Sequence, residues 1–188
     1  MIDISNYPIL NDHKSTLKEA SKDFHYLPVV YMTDSDAEVV NFDEVKTEYV
    51  KELHLCEVPK SNDALMINSE NRATFIEFKN GYIDRPKEFS LRKKIYDSLA
   101  ILTDIIGVGI SYTRQYLDYI LVYNSENNPD SKTRYSVSEA RDEIDRITMG
   151  YADEKYIKFG LKIFEGYCFK NVYTYTEDEI ERNFVSEL

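Results

Sequence analysis

Residues 62–81 read NDALMINSENRATFIEFKNG and form the most informative segment of the chain. Its two ends, residues 62–67 and 74–81, carry apolar runs, and the segment from Asn68 to Arg72 between them is polar and turn-prone. Two apolar runs of this length around a short polar break are typical of an antiparallel hairpin. The rest of the chain is interpreted around this predicted β-hairpin.

The hairpin is predicted to bring two carboxylates together. With its turn centred on Glu70, Asp63 lies opposite Glu77, and side-chain alternation places Lys79 on the same face as Glu77. Two carboxylates directly opposite each other repel unless a cation lies between them. Because Lys79 is the one cation next to Glu77 on that face, the arrangement favours a hard divalent ion held by carboxylate oxygens.

An aspartate that opens one strand and a Glu-x-Lys on the next resembles the active-site signature of the PD-(D/E)XK nuclease superfamily. The match covers Asp63 to Lys79 directly, and about residues 41–123 when the order of elements is counted. Asn62 stands where the family often has proline, which is the dispensable letter of the motif. The resemblance implies metal-dependent hydrolysis of DNA or RNA. In it, Asp63 and Glu77 bind Mg²⁺ or Mn²⁺, and Lys79 lies near the attacking water or the scissile phosphate.

An ordinary hairpin with a solvated, charged face is the alternative interpretation. Glu77 and Lys79 would then form a surface ion pair, which contributes little to stability. The acid-x-Lys spacing recurs at Asp12-His13-Lys14, Glu44-Val45-Lys46, Asp130-Ser131-Lys132 and Asp153-Glu154-Lys155. Of these copies, the one at Glu77 lies inside an apolar strand pattern that follows an aspartate-bearing strand.

The segment from Asn41 has the apolar period of a helix, with Asn41 as its N-cap. Glu44, Glu48 and Glu52 recur every four residues and form an acidic stripe on that helix. In the nuclease superfamily a helix in this position often supplies one more carboxylate. The resemblance therefore implies Glu48, at the centre of the stripe, as a third metal ligand, and a solvated helix face is the alternative.

A second, longer helix is predicted from the turn at Asp84-Arg85-Pro86 to Gly107. Its apolar stripe, predicted to cover one face of the sheet, is Phe89, Ile95, Leu99, Leu102 and Ile106. The densest basic cluster of the chain lies at its start and consists of Arg85, Lys87, Arg92, Lys93 and Lys94. These side chains are predicted to contact nucleic-acid phosphates, and a solvated helix face is again the alternative.

The order of elements predicts an α/β fold with a mixed central sheet flanked by helices. Leu117–Tyr123 is a continuous apolar run that belongs in the middle of the sheet. The series helix, strand, strand, helix, strand over residues 41–123 resembles the restriction-endonuclease-like core. The family core has one more strand, and Leu27–Met32 is the candidate for it.

A C-terminal extension of strands and helices is predicted over about residues 134–188. Ser136 with Glu139 and Thr176 with Glu179 are capping boxes that each open a helix, and residues 159–175 have the composition of strands.

The composition predicts one globular domain over residues 1–188. A hydrophobic content of 43% is enough to build a core. The two cysteines, Cys56 and Cys168, lie far apart and lack His or Cys neighbours at metal-binding spacing, which predicts neither a disulfide framework nor a zinc site. No Gly-rich phosphate loop is present, so nucleotide binding of that kind is not predicted.

The net charge of −11 opposes general attraction to nucleic acid, so binding must rely on local basic side chains and bound metal ions. The alternative is a non-catalytic acidic protein with a nuclease-like fold that binds a protein partner, as an immunity, inhibitor or regulatory subunit. A homo-oligomer is also compatible with the sequence. Without a bilayer-length apolar run or a signal peptide, we expect a cytoplasmic protein with no membrane partner. The resemblance implies a phage, mobile-element or host-defence context.

Overall fold

A six-stranded mixed β-sheet forms the centre of the protein. The computed structural model describes residues 4–24, 27–67, 72–129 and 156–188. In chain order the strands are β1 (Lys14–Thr16), β2 (Lys22–Asp23), β3 (Val30–Tyr31), β4 (Glu38–Asn41), β5 (Ala64–Ile67), β6 (Ala73–Lys79), β7 (Leu117–Tyr123) and β8 (Val172–Thr176). The central sheet has the spatial order β1-β4-β5-β6-β7-β8, and β2 pairs with β3 in a separate two-stranded sheet.

Helices flank the central sheet on both faces, which confirms the predicted α/β class. In chain order they are α1 (Pro8–Asn11), α2 (Leu17–Ala20), α3 (Phe42–Tyr49), α4 (Arg85–Ile106), α5 (Ile110–Tyr116) and α6 (Glu177–Asn183). Short 3-10 turns lie at Ile4–Asn6, Leu161–Phe164 and Val185–Glu187.

The predicted hairpin is β5–β6, and its register is the predicted one. The strands are antiparallel with Ala64 opposite Ile76, and continuing the register by one residue places Asp63 opposite Glu77. After β6 the chain passes through α4 and α5 and returns as β7, which pairs with β6 in parallel. The parallel pairing needs this long crossover, and it leaves β6 and β7 buried in the middle of the sheet.

Side-chain alternation divides the core into two layers. Phe75 belongs to the layer beneath α3 and α4, where its ring meets Phe42 edge-to-face at 4.8 Å. Ile76 and Phe78 belong to the opposite layer, together with Ile180 of α6. Glu77 therefore points into the same layer as Phe75, beneath α4.

Helix α4 begins and ends where the sequence predicts. The Asp84 side chain caps its first turn by accepting the Lys87 amide, and Gly107 ends it in the left-handed conformation. Its buried stripe is Leu91, Ile95, Ser98, Leu99, Ile101, Leu102 and Ile106. Phe89, predicted to belong to this stripe, is exposed, because it lies two residues from Leu91 and thus points to the other side of the helix.

Within the described ranges no single helix is long and apolar enough to cross a membrane. Helices α4 and α5 pass that test of length and composition only as a pair, and they are bent by 101° at the break between them.

The prediction that Leu27–Met32 supplies the additional strand of the central sheet is wrong. Val30–Tyr31 pairs with β2 outside the central sheet, and β4 is the strand that pairs with β5. Strand β4 has four residues and runs directly into the Asn41 N-cap of α3, which leaves too little alternation to identify it from sequence.

The C-terminal residues contribute one strand to the central sheet and a helix that follows it. Strand β8 pairs with β7 in parallel and completes the sheet. Residues 159–171, predicted as strands, instead form a 3-10 turn at Leu161–Phe164 and irregular segments. The Thr176–Glu179 capping box is present at the start of α6, and the helix predicted from Ser136 lies outside the described residues.

Helix phase can be tested by truncating Leu91. We expect Leu91→Ala to lower the free energy of unfolding by about 2–5 kcal/mol, because it opens a cavity at a fully buried position. Phe89→Ala is the matched control on the same helix, where the side chain is 73% exposed. It should change stability by no more than about 0.5 kcal/mol. Urea unfolding followed by circular dichroism measures both, and an equal loss in the two variants would contradict this orientation of α4.

Candidate functional site

Four charged side chains meet where the hairpin passes beneath α4. Asp63 immediately precedes β5, and Glu77 and Lys79 lie on one face of β6 near its end. Lys94 comes from the middle of α4. We call these four residues, Asp63, Glu77, Lys79 and Lys94, the ion cluster.

One lysine bridges the two carboxylates of the ion cluster. Lys94 Nζ lies 3.1 Å from Asp63 Oδ1 and 2.7 Å from Glu77 Oε1. Lys79 Nζ lies 2.5 Å from the same Glu77 oxygen. The second Asp63 oxygen, Oδ2, accepts the backbone N–H of Phe78 at 2.7 Å, which fixes the carboxylate against β6.

Burial perturbs both central charges of the ion cluster. The Glu77 side chain is 0% exposed; burial raises its pKa, the negative charge of Asp63 raises it further, and Lys79 and Lys94 oppose that shift. Burial acts to lower the pKa of Lys94, but Asp63 and Glu77 outweigh it and the pKa is raised above the ordinary lysine value. Lys94 therefore stays protonated and supplies the counter-charge that the two carboxylates need.

Polar atoms around the ion cluster have unused hydrogen-bonding capacity. Within the described part of the chain, Glu77 Oε2 and the Tyr119 hydroxyl are buried and have no partner. Burial is the main cause that raises the pKa of Tyr119, and the nearby negative charges of Glu77 and Asp63 raise it further. Buried polar atoms without partners are uncommon, so these two atoms are free to contact a molecule that enters beside the carboxylates.

A cleft of about 660 Å³ opens onto the ion cluster. Asp63 and Lys79 line it, and the Lys79 side chain is 26% exposed. Its walls come from residues 19–24, from the start of α3 and from residues 78–81 at the end of β6. A solute in the cleft would reach Asp63 and Lys79, with Glu77 buried behind them.

Glu48, predicted as a third metal ligand, is placed elsewhere. Its Oε2 lies 2.6 Å from His13 Nε2, and it does not line the cleft with Asp63. Two carboxylates of α3 line the cleft, Asp43 and Glu44. Asp43 accepts a hydrogen bond from the Ser61 hydroxyl, and its charge acts on Lys94. Glu48 lies five positions after Asp43, so these two side chains leave the helix about 140° apart. Glu48 and Glu44 both contact His13, but Glu48 lies one turn further from the start of α3, which is the end of the helix at the cleft.

The predicted basic cluster is close in sequence but does not form one patch in space. Lys94 is in the ion cluster, where it binds carboxylates instead of facing solvent as a phosphate contact. Lys87 lines the cleft and its Nζ donates to the Tyr82 carbonyl at 2.6 Å. Arg85 is exposed at the first position of α4.

The remaining two members of the basic cluster point away from the cleft lining. Lys93 Nζ lies 2.9 Å from Asp97 Oδ2, an i, i+4 pair on α4. Arg92 is half-buried and donates to the Gly160 carbonyl at 3.5 Å. Successive helical residues point about 100° apart, and for this reason a run of basic residues cannot share one face.

The role of Tyr119 in the buried part of the site can be tested by removing its hydroxyl. Tyr119→Phe is expected to leave the free energy of unfolding unchanged or to raise it, because it removes a buried hydroxyl without a partner among the described residues. Tyr123→Phe is the matched control on the same strand and face. The Tyr123 hydroxyl has a partner, because Lys158 Nζ lies 2.5 Å from it. Removing this hydrogen bond should lower the free energy of unfolding by about 1 kcal/mol. Thermal and urea unfolding measure both variants. If Tyr119→Phe were less stable than wild type by as much as Tyr123→Phe or more, the Tyr119 hydroxyl would have a bound partner at the site.

Comparisons of the chain with protein-family models, with curated proteins and with solved structures found no match.

Proposed function

We propose that the protein is a metal-dependent nuclease of the PD-(D/E)XK type, with a restriction-endonuclease-like core, that hydrolyses phosphodiester bonds of DNA or RNA in the cytoplasm. The observation that carries the proposal is the convergence of Asp63, Glu77 and Lys79 at one side of a cleft. An isolated acid-x-Lys motif would be weak support. An acid-x-Lys strand whose glutamate is buried opposite an aspartate is stronger support, because burying two carboxylates is unfavourable unless they have a use or a counter-ion.

The donor set has the chemistry of a magnesium or manganese site. Asp63 and Glu77 offer carboxylate oxygens, and Glu77 Oε2 is buried with no partner in the described ranges. No group of three or more His, Cys, Asp or Glu side chains within those ranges is arranged to hold a metal ion. The proposed ion would therefore have two carboxylates and take waters or substrate oxygens as its other ligands, as Mg²⁺ commonly does.

Under this proposal, each side chain of the site has a role that follows from its position. A divalent ion held by Asp63 and Glu77 would act as a Lewis acid on the phosphate and would lower the pKa of a water molecule. Lys79, at the cleft with its ammonium held by Glu77, is placed to bind a phosphate oxygen or to orient that water. Asp63 is held in place by Lys94 and by the Phe78 amide.

The charge of the cleft explains why a cation is needed for this reaction. Among the described residues that line it, five are acidic and three are basic: Glu19, Asp23, Asp43, Glu44, Asp63, Lys22, Lys79 and Lys87. A polyanion approaching such a surface is repelled, and a bound divalent ion reverses the local potential.

Substitutions in the ion cluster test the nuclease proposal. We expect wild-type protein with Mg²⁺ or Mn²⁺ to cut at least one of linear, supercoiled or single-stranded DNA or RNA, and EDTA to stop the reaction. Asp63→Asn, Glu77→Gln and Lys79→Met should each lower the rate by about 100-fold or more. Glu48→Gln is the matched control and should keep the wild-type rate, because Glu48 is paired with His13.

Two outcomes would contradict the nuclease proposal. One is a wild-type protein that cuts none of these substrates with either metal ion. The other is a cutting activity that survives in Asp63→Asn and Lys79→Met, which would point to a contaminating nuclease. Circular dichroism of each variant shows whether a lost activity reflects the site or the fold.

The basic residues at the cleft are expected to differ from those outside it. Lys87→Ala should raise KM and lower the slope of log affinity against log salt by about 1, since one phosphate contact is lost. Lys93→Ala is the control, because Lys93 is paired with Asp97 and does not line the cleft. Binding of a labelled oligonucleotide at several salt concentrations measures both slopes, and equal effects would argue against a specific phosphate contact at Lys87.

A second candidate function is binding of a basic protein without catalysis. The net charge of −11 favours it, and so does the balance of two carboxylates and two lysines in the ion cluster, which leaves the site neutral without a metal ion. In this case the protein would act as an inhibitor or regulatory subunit. A stable wild-type protein that binds no Mn²⁺ and cuts nothing, but forms a salt-sensitive complex with a basic partner, would favour this function.

A further inference from the structure

Lys94 lies where a bridging cation is expected. Its Nζ is within hydrogen-bonding distance of one oxygen from each carboxylate, Asp63 Oδ1 and Glu77 Oε1. A divalent ion bound to the same two oxygens at about 2.1 Å would either overlap the ammonium or lie directly beside a like charge. Among the carboxylates of the described residues, Lys79 contacts Glu77 alone, and it lies at the cleft side, so it is not the bridging group.

The charges of the cluster lead to the same conclusion. Asp63 and Glu77 contribute two negative charges, and Lys79 and Lys94 contribute two positive charges, so the cluster is neutral as it stands. A divalent ion would add two further positive charges to a site whose glutamate is fully buried. Such an excess of buried charge is unfavourable, and moving one ammonium away relieves part of it.

We propose that Lys94 is a built-in counter-ion that holds the place of the divalent metal ion between Asp63 and Glu77 and must move out before the ion binds. This inference rests on the proposed function, since it assigns the metal ion to the same two carboxylates. Lys94 is then a positioning residue with two consequences. It keeps the carboxylates neutralised and the hairpin bound to α4 when no metal ion is present, and it weakens metal binding by competing for the same oxygens.

The test is a calorimetric titration with Mn²⁺ of wild-type protein, Lys94→Met and Lys94→Gln. Both variants remove the competing charge, so we expect each to bind Mn²⁺ about tenfold or more tightly than wild type. Lys93→Met is the matched control, because it removes the same charge from the preceding residue of α4, where the lysine is paired with Asp97. The Mn²⁺ affinity of Lys93→Met should equal that of wild type.

Thermal unfolding gives a second readout that does not depend on activity. Without metal, Lys94→Met should melt below wild type, since two buried carboxylates lose their bridging cation. Saturating Mn²⁺ should raise its melting temperature by more than it raises that of wild type. If Lys94→Met does not fold without metal, Lys94→Gln carries both comparisons, because its amide still donates a hydrogen bond to a carboxylate.

The outcomes separate this inference from the proposed function. If wild type binds Mn²⁺ and cuts nucleic acid but the Lys94 variants bind Mn²⁺ no more tightly, the counter-ion role is overturned and the nuclease proposal stands. If the Lys94 variants bind Mn²⁺ and wild type neither binds nor cuts, the counter-ion role is supported and the nuclease proposal fails. If no variant binds Mn²⁺, both are overturned.

Discussion

Two carboxylates facing each other beneath a helix repel, and the packing of this protein depends on how that repulsion is relieved. Asp63 and Glu77 are held by Lys94, which reaches them from α4 and contacts both. Removing one partner of a buried ion pair typically costs about 3–5 kcal/mol, so a single lysine strongly constrains how α4 lies on the hairpin. The helix cannot turn about its axis without breaking both contacts.

Ordinary helix packing brings Lys94 to this position. Leu91 and Ile95 are fully buried against the sheet, and Lys94 lies beside them, about 60° round the helix from Leu91 on the side away from Ile95. Its stem follows the apolar face while its ammonium reaches the polar edge of the hairpin. The same packing that builds the core therefore carries the charge to the carboxylates.

The acidic character of the chain and the proposed chemistry are compatible because charge at the cleft is decided locally. A net charge of −11 gives no general attraction for a polyanion. The side chains at the cleft that could favour a phosphate are Lys22, Lys79 and Lys87, and the proposed metal ion would add to them. A protein built in this way would bind nucleic acid poorly until the ion is present, which ties substrate binding to the same site as catalysis.

Features that depend on neighbouring residues could be predicted from the sequence. Alternation gives the faces of β5 and β6, and a turn placed at Glu70 then puts Asp63 opposite Glu77, as in the structure. The Asp84 cap and Gly107 define α4, and the apolar run Leu117–Tyr123 defines β7.

Tertiary packing sets which side of each helix faces the sheet and which distant segments pair. It puts Asp43 and Glu44, and not Glu48, at the cleft. It also makes Lys94 a bridge between carboxylates instead of the predicted phosphate contact, and it adds β4 and β8 to the sheet. Local patterns do not encode these choices, because the rotation of a helix and the pairing of remote strands are set by packing among residues far apart in the chain.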